Sequence, residues 1–238
     1  MNVADRRRIL GPLNAKPLQF ASADGNLQDA HLQETQSGDE TLYIQQGIVT
    51  NANGSAYLEI ASPTKNDQHI LLLASVYGPR PTRGTFSARA ALSIQFKENT
   101  LEQFTAGEVK ELCNFLASVF RAVINLNRYP KSGIDIFLNL IQYVGPSGTS
   151  SLEAIIPACI NAIMLALIDA GIETLDTVSA GSYKGTVISF IRNGDEIVGF
   201  WADNDFDNNG SYAVTVDKCR RHYIQNRNAM LDYIVKTK

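Results

Sequence analysis

The run Ile155–Ile168, IIPACINAIMLALI, constrains this chain more than any other stretch. It reads as one helix ending near Ala170, with Gly171 as its C-cap residue. Its apolar residues lie on most faces rather than on one stripe. A helix of that kind has to be buried between layers. At 14 residues the run falls short of the roughly 20 apolar residues a membrane span needs, and Pro157 sits near its start. Ser150 and Glu153 pair as a capping box at its N-terminus. Just before it come a strand, Ile134–Tyr143, and a Gly/Ser loop, Gly145–Ser151. A loop that feeds a helix N-terminus offers free backbone N–H groups to an anion. Yet this loop carries no Lys, Arg or His, so the layout of an anion site stands without its cation. A capped helix start with no ligand is the favoured reading.

The remaining elements follow from pattern and punctuation. Leu42–Val49 and Ser55–Ala61 flank Asn53-Gly54, a hairpin signal. His69–Tyr77, HILLLASVY, is a central-strand pattern, closed by Gly78-Pro79. Phe86–Phe96 alternates loosely as a further strand. Thr105–Asn127 is a helix with a Thr105/Glu108 capping box and an apolar stripe through Val109, Leu112, Leu116, Val119, Phe120 and Val123. Thr174–Ala180, Gly185–Arg192 and Glu196–Trp201 read as strands, the last two joined by a tight Asn193-Gly194 hairpin. Thr215 is the expected cap of a final helix, which puts Lys218, Arg220 and Arg221 at the end where positive charge opposes the dipole. The order ββββ-α-β-α-βββ-α clusters strands in hairpins and defines an α+β fold rather than an alternating parallel one. Residues 1–41 form an extended N-terminal segment, basic at Arg6–Arg8 with Pro12 and Pro17, leading into a flexible polar loop over Ala21–Thr41. Residues 42–238 form one domain.

Bulk properties exclude several classes. The net charge of −3 gives no global basic field, so any nucleic-acid contact must come from a local patch. Charged residues make up 19% of the chain, below the roughly 25% usual in soluble domains, which points to a surface partly covered by partners. Cys113, Cys159 and Cys219 are odd in number and far apart, so they read as buried free thiols in a reducing compartment. The start MNVADRRRIL is charged and lacks the apolar core of a secretory signal.

Few residues carry chemistry. Asp205-Phe206-Asp207-Asn208-Asn209-Gly210 matches the first half of a calcium loop, but the twelfth position is Val216 instead of a bidentate Glu, so a solvated acidic turn is expected. His31, His69 and His222 have no ligand-spaced neighbours, and no metal site is expected. Arg80, Arg83 and Arg89 lie close together in GPRPTRGTFSAR. Three guanidinium groups on one loop can grip a phosphate backbone through bidentate hydrogen bonds. From the residues alone, a solvated loop or a protein contact is the commoner meaning of such a run.

Several blocks, in order, resemble the RNase PH family: NANGSAYLEI, LLLASVYGPRPTRG, INLNRYPKSGIDIFLNLIQYVG and IPACINAIMLALIDAGIETLD. Within it, MNVADRRRILGP and RYPKSGIDIF are similar to the messenger-RNA-transport group of eukaryotic RNA exosome ring subunits. The resemblance implies an RNase PH-like domain with the ribosomal protein S5 domain 2-like core. Active members of the family attack RNA with inorganic phosphate. They hold that phosphate on a Ser/Arg-bearing loop before the central helix and use an acidic residue near the end of a late strand. Here the matching loop is Gly148, Thr149, Ser150 and Ser151, with no Arg. The late strand reads Ile197-Val198-Gly199-Phe200-Trp201, with Asp203 and Asp205 beyond it. An acid without a phosphate-holding cation leaves phosphate and RNA unneutralised in one site. The resemblance therefore implies a catalytically silent subunit with no cofactor, the alternative being an active phosphate-dependent 3′–5′ exoribonuclease. Its implied partners are other RNase PH-like ring subunits, one of them as a heterodimer pair, S1/KH cap subunits, RNA in the central channel, and a separate catalytic nuclease. The implied RNA contacts are Arg80 and Arg83, with no membrane contact, and the implied compartments are nucleus, nucleolus and cytoplasm.

Overall fold

Leu42, Ile44, Leu58 and Leu138 alternate with polar or aromatic residues along their strands, and strand pairing brings them to one face together with Leu72. The computed structural model describes residues 32–34, 41–62, 68–98, 103–145, 151–202 and 212–237. These strands belong to a six-stranded sheet built from β1 (Leu32–Glu34), β2 (Thr41–Gln46), β3 (Gly54–Ser62), β4 (Gln68–Pro81), β5 (Ala91–Glu98) and β6 (Ser132–Val144). Its order is β1-β2-β3-β4-β6-β5. All neighbours are antiparallel except β5 and β6, which run parallel.

Helices α1 (Ala106–Val123) and α2 (Leu152–Asp169) cover the aliphatic face of this sheet. A second, antiparallel sheet of β7 (Ser179–Tyr183), β8 (Thr186–Ile191) and β9 (Glu196–Ala202) closes over the other side of α1 and α2. Helix α3 (Tyr212–Thr237) packs outside that sheet, where Cys219 and Tyr223 meet Ile188 and Phe190. The result is four layers, sheet–helix–sheet–helix. Every residue of β8 is buried, because the strand lies in the middle of its sheet with a layer on each face.

The expected burial of the apolar helix holds: each residue from Ile155 to Leu167 is buried. By length and composition alone α2 could cross a membrane, with 18 residues of mean hydropathy 1.9, so shortness does not exclude a span. Two sheets cover it instead. Its one buried polar side chain, Asn161, accepts a hydrogen bond from Ser179 Oγ at 2.7 Å.

Several boundaries differ from the sequence expectation, each for a local reason. Leu32–Glu34 pairs with β2 as an edge strand inside the segment read as a flexible loop; the rest of residues 1–40, including Arg6–Arg8, lies outside the described residues. Asn53-Gly54 is not a two-residue hairpin, because β2 and β3 are joined by residues 47–53. Gly54 is required by close approach: a Cβ there would lie 2.2 Å from Ala170 N and 2.4 Å from Ala166 O. Strand β5 starts at Ala91 rather than Phe86. Ser87 Oγ donates to Arg89 O (2.7 Å) and accepts from Arg89 N (3.3 Å), local bonds that compete with a ladder. Helix α1 stops at Val123, since Ile124 turns extended and bridges Thr174. Strand β7 starts at Ser179, because Asp176 Oδ1 and Oδ2 accept from Thr177 N and Arg192 N and bend the chain before it. Strands β8 and β9 are joined through residues 192–195, with Arg192, Asn193 and Gly194 all at positive φ. Helix α3 is already helical at Tyr212, so Thr215 is not its cap, and Lys218, Arg220 and Arg221 lie beyond the first turn. The Thr105/Glu108 capping box is formed as expected. For α2 the N-cap is Ser151, which makes no side-chain cap bond; Ser150, of the expected Ser150/Glu153 box, lies outside the described residues.

Candidate nucleic-acid interface

Strand directions decide which charges meet. Because β4 runs antiparallel to β6 and β5 runs parallel to it, the end of β4 and the starts of β5 and β6 share one end of the large sheet. Arg80 pairs there with Gly133, after a register shift that includes the cis Gly78–Pro79 bond. Its Nη2 donates to Asp135 Oδ2 at 2.6 Å, and its guanidinium lies 5.5 Å from the centre of the Tyr77 ring. Tyr77 in turn meets Phe137 edge to face, 5.5 Å between centroids. Carboxylate and ring thus aim a guanidinium that stays more than half exposed.

The loop that follows carries Arg83, Phe86 and Arg89, all exposed. It is braced rather than loose. Thr82 N donates to Lys131 O (3.1 Å), Lys131 N to Ser87 O (2.8 Å) and Ala90 N to Leu126 O (3.0 Å). These bonds tie it to the turn before β6, which adds Arg128 and Lys131 to the same end. Arg128 Nε lies 3.4 Å from Glu173 Oε2. Among the described residues Arg83 and Arg89 have no ion pair. Five cations therefore share this end of the sheet, two of them paired, Arg80 with Asp135 and Arg128 with Glu173, on a chain that is acidic overall. Arg80, Arg83 and Arg89 stand out as a cluster in the sequence itself. Arg128 and Lys131 do not, and their signal is their position around Pro130, immediately before the strand that pairs with both β4 and β5.

The candidate anion loop lies at the other end of β6, a 13-residue strand that spans roughly 40 Å. Residues 146–150 of that loop, including Gly148, Thr149 and Ser150, lie outside the described residues, as do Asp203, Asp205 and the Asp205–Gly210 calcium-like turn. The surrounding frame is visible. The β7–β8 turn meets the first turn of α2, where a Cβ on Gly185 would lie 3.1 Å from Glu153 Oε2. Lys184 in that turn has its Nζ 5.6 Å from the centre of the Tyr183 ring, a cation that sequence reading passed over. Ala202, which ends β9, pairs with Thr186 beside the same turn. Gly199 faces α1, and a Cβ there would stand 2.5 Å from Val119 Cγ2 and 2.6 Å from Ser189 Oγ, so a carboxylate side chain has no room.

Other candidates are structural. His69 Nε2 lies 2.9 Å from buried Glu59, which also accepts from Tyr57 OH, and His222 Nδ1 donates to Ser182 O at 2.8 Å. His31 lies outside the described residues. All three cysteines are free. Burial raises the Cys113 and Cys159 thiols and pushes the Cys219 thiol up to about 11, the opposite of an activated nucleophile. Among the described residues no cluster of His, Cys, Asp or Glu could hold a metal ion.

Residues 40–173 match RNase PH, described as 3′ exoribonuclease family, domain 1, and the chain belongs to that family. Its fold is the α+β RNase PH-like fold. Among individual proteins, it is 28% identical over 199 residues to the exosome complex component MTR3 of Chaetomium thermophilum, covering 75% of this chain and 70% of the relative. It is 34% identical over 175 residues to the exosome complex component RRP41 of Mus musculus, covering 66% of this chain and 64% of the relative. Rice (Oryza sativa) Rrp46 superposes with a TM-score of 0.58 at 18% identity, over 88% of this chain and 98% of that one. A chain of an archaeal exosome core gives 0.58 at 10% identity, over 86% and 88%.

Proposed function

We propose that this chain is a non-catalytic, single-domain RNase PH-like subunit of an RNA exosome ring, which scaffolds the six-membered ring and lines its RNA channel for 3′–5′ processing and degradation of rRNA, mRNA and other RNAs. Relatives named exosome complex components support the assembly. The observation that carries the reading is the split of charge along β6. Arg80, Arg83, Arg89, Arg128 and Lys131 gather at its start, whereas the loop Gly145–Ser151 beyond its end has no cation in its sequence. Such an arrangement offers charge to an RNA backbone at one end of β6, while the loop that would hold an attacking inorganic phosphate carries none of its own. The crowding at Gly199 adds to this, because it leaves no place for an acid at that point of the late strand. The expected partners are other RNase PH-like ring subunits, one of them as a heterodimer pair, S1/KH cap subunits and a separate nuclease. The expected compartments are nucleus, nucleolus and cytoplasm.

The chain's mechanical part is then to position charge. Arg80, aimed by Asp135 and Tyr77, and Arg83, on its braced loop, bind successive phosphates and steer the strand without cutting it. Co-purification with RNase PH-like ring subunits tests the assembly; a stable monomer with no affinity for them refutes it. Charge reversal at Arg80 and Arg83 weakens RNA protection by the assembled ring and flattens its salt dependence; unchanged protection refutes the assignment.

The alternative, an active phosphorolytic exoribonuclease, is favoured by one arrangement: Lys184 and the end of β9, which leads into Asp203 and Asp205, lie beside the start of α2. Phosphate-dependent release of nucleoside diphosphates by the purified chain or its ring, abolished by Lys184→Ala or Asp205→Asn, establishes that reading. No such release supports the scaffold.

A further inference from the structure

We infer that Phe86 is a base-stacking platform in the RNA path, working with Arg83 and Arg89 as phosphate contacts on either side of it. This rests on the RNA-channel reading above and assigns it a residue of different chemistry. Phe86 is 74% exposed, unusual for a phenylalanine in a folded domain. Apart from Pro81 it is the one large apolar side chain between Arg80 and Ala90, so it does not belong to an extended apolar patch within its loop. Its neighbours in the loop are cations instead.

A protein hot spot places an aromatic in a desolvated pocket ringed by further contacts. A single-strand binding surface has another composition: a ring to stack on a base, and cations flanking it to track the backbone. The sequence Arg83-Gly84-Thr85-Phe86-Ser87-Ala88-Arg89 has that composition. The loop is also pre-ordered. Lys131 N holds Ser87 O at 2.8 Å and Ser87 Oγ holds Arg89 O at 2.7 Å, so the residue after Phe86 is fixed from two sides. A ring displayed on a braced turn loses little freedom when a base settles on it. Stacking needs only a π-face, so it fits a channel that must pass any sequence.

The test uses the full chain, and in parallel the complex purified through it, with a single-stranded oligouridylate carrying one 5-iodouridine. A stacked iodouracil crosslinks to its aromatic partner under light. We expect the crosslinked peptide to contain Phe86. Phe86→Ala weakens binding about tenfold with the slope of log K against log salt unchanged, and Phe86→Trp restores it. Arg83→Ala weakens binding and lowers that slope by about 0.7. If Phe86→Ala binds as tightly as the parent while the Arg83 variant is weakened, stacking is overturned and the RNA-path reading stands. If neither variant is weakened, both fall. If Phe86→Ala keeps RNA but releases a neighbouring subunit, Phe86 is a protein contact and the inference is overturned.

Discussion

Gly54→Ala is the sharpest test of how the layers are held. Gly54 begins β3, and its Cα faces the C-terminal turn of α2. The added methyl would stand 2.2 Å from Ala170 N, 2.4 Å from Ala166 O and 2.7 Å from Ala170 Cα. Non-bonded carbon contacts are comfortable near 3.5 Å, so strand and helix must separate by about 1 Å. All three obstructing atoms are backbone, and no rotamer change relieves them. The local tie resists as well, since Ser55 N donates to Asp169 Oδ2 at 2.8 Å. Because α2 is packed from both sides, its displacement is passed on to the small sheet. Overpacking usually costs about 1–3 kcal/mol; with backbone on both sides we expect about 3 kcal/mol or more, a large part of the 5–15 kcal/mol that holds a typical domain together. Urea unfolding of both proteins measures it as a lowered midpoint at constant slope. Gly107→Ala is the internal control. It lies in the first turn of α1 with only Thr105 Oγ1 near, at 3.8 Å, so it should stabilise by up to about 0.5 kcal/mol. A loss below about 1 kcal/mol at Gly54, or equal effects at the two glycines, refutes the close-approach argument.

Asp135→Asn removes the anion 2.6 Å from Arg80. It should raise affinity for single-stranded RNA about threefold while costing no more than about 1 kcal/mol of stability, because both partners are partly exposed. Unchanged binding counts against Arg80 as a phosphate contact. Burial holds the thiols of Cys113, Cys159 and Cys219 and the phenols of Tyr43, Tyr57, Tyr143, Tyr223 and Tyr233 above their ordinary values. The folded chain therefore keeps protons that the unfolded chain releases, and stability falls as pH rises. For Cys219 the stabilisation is complete below its ordinary value of 9.0 and is lost as pH climbs through about 11. Urea midpoints that stay flat across that window contradict the burial of these groups.

Much of the frame was legible because burial writes a periodicity into the chain. The all-round apolar pattern of Ile155–Ile168 announced a helix between layers, and every residue from Ile155 to Leu167 is indeed buried. Thr105 and Glu108 announced a helix start, and they form it. Ends were less legible wherever a side chain far away in sequence redirects the backbone. Asp176 bends the chain before β7 by accepting from Arg192 N, 16 residues on. No local window around Thr174–Ala180 contains that partner.

The candidate interface divides the same way. The sequence by itself determined the α+β class, the buried central helix, the free thiols, the cluster Arg80, Arg83 and Arg89, and the lack of any cation in Gly145–Ser151. Those are properties of composition and near-neighbour spacing, which the chain carries unfolded. Only the tertiary structure decided that Arg128 and Lys131 join the same cluster, that Gly54 and Gly199 answer to helices rather than to turns or chemistry, and that the cations and the anion loop stand at opposite ends of β6. Each depends on strand direction and layer contact, and those are set by which apolar faces can be covered together once the whole chain has folded.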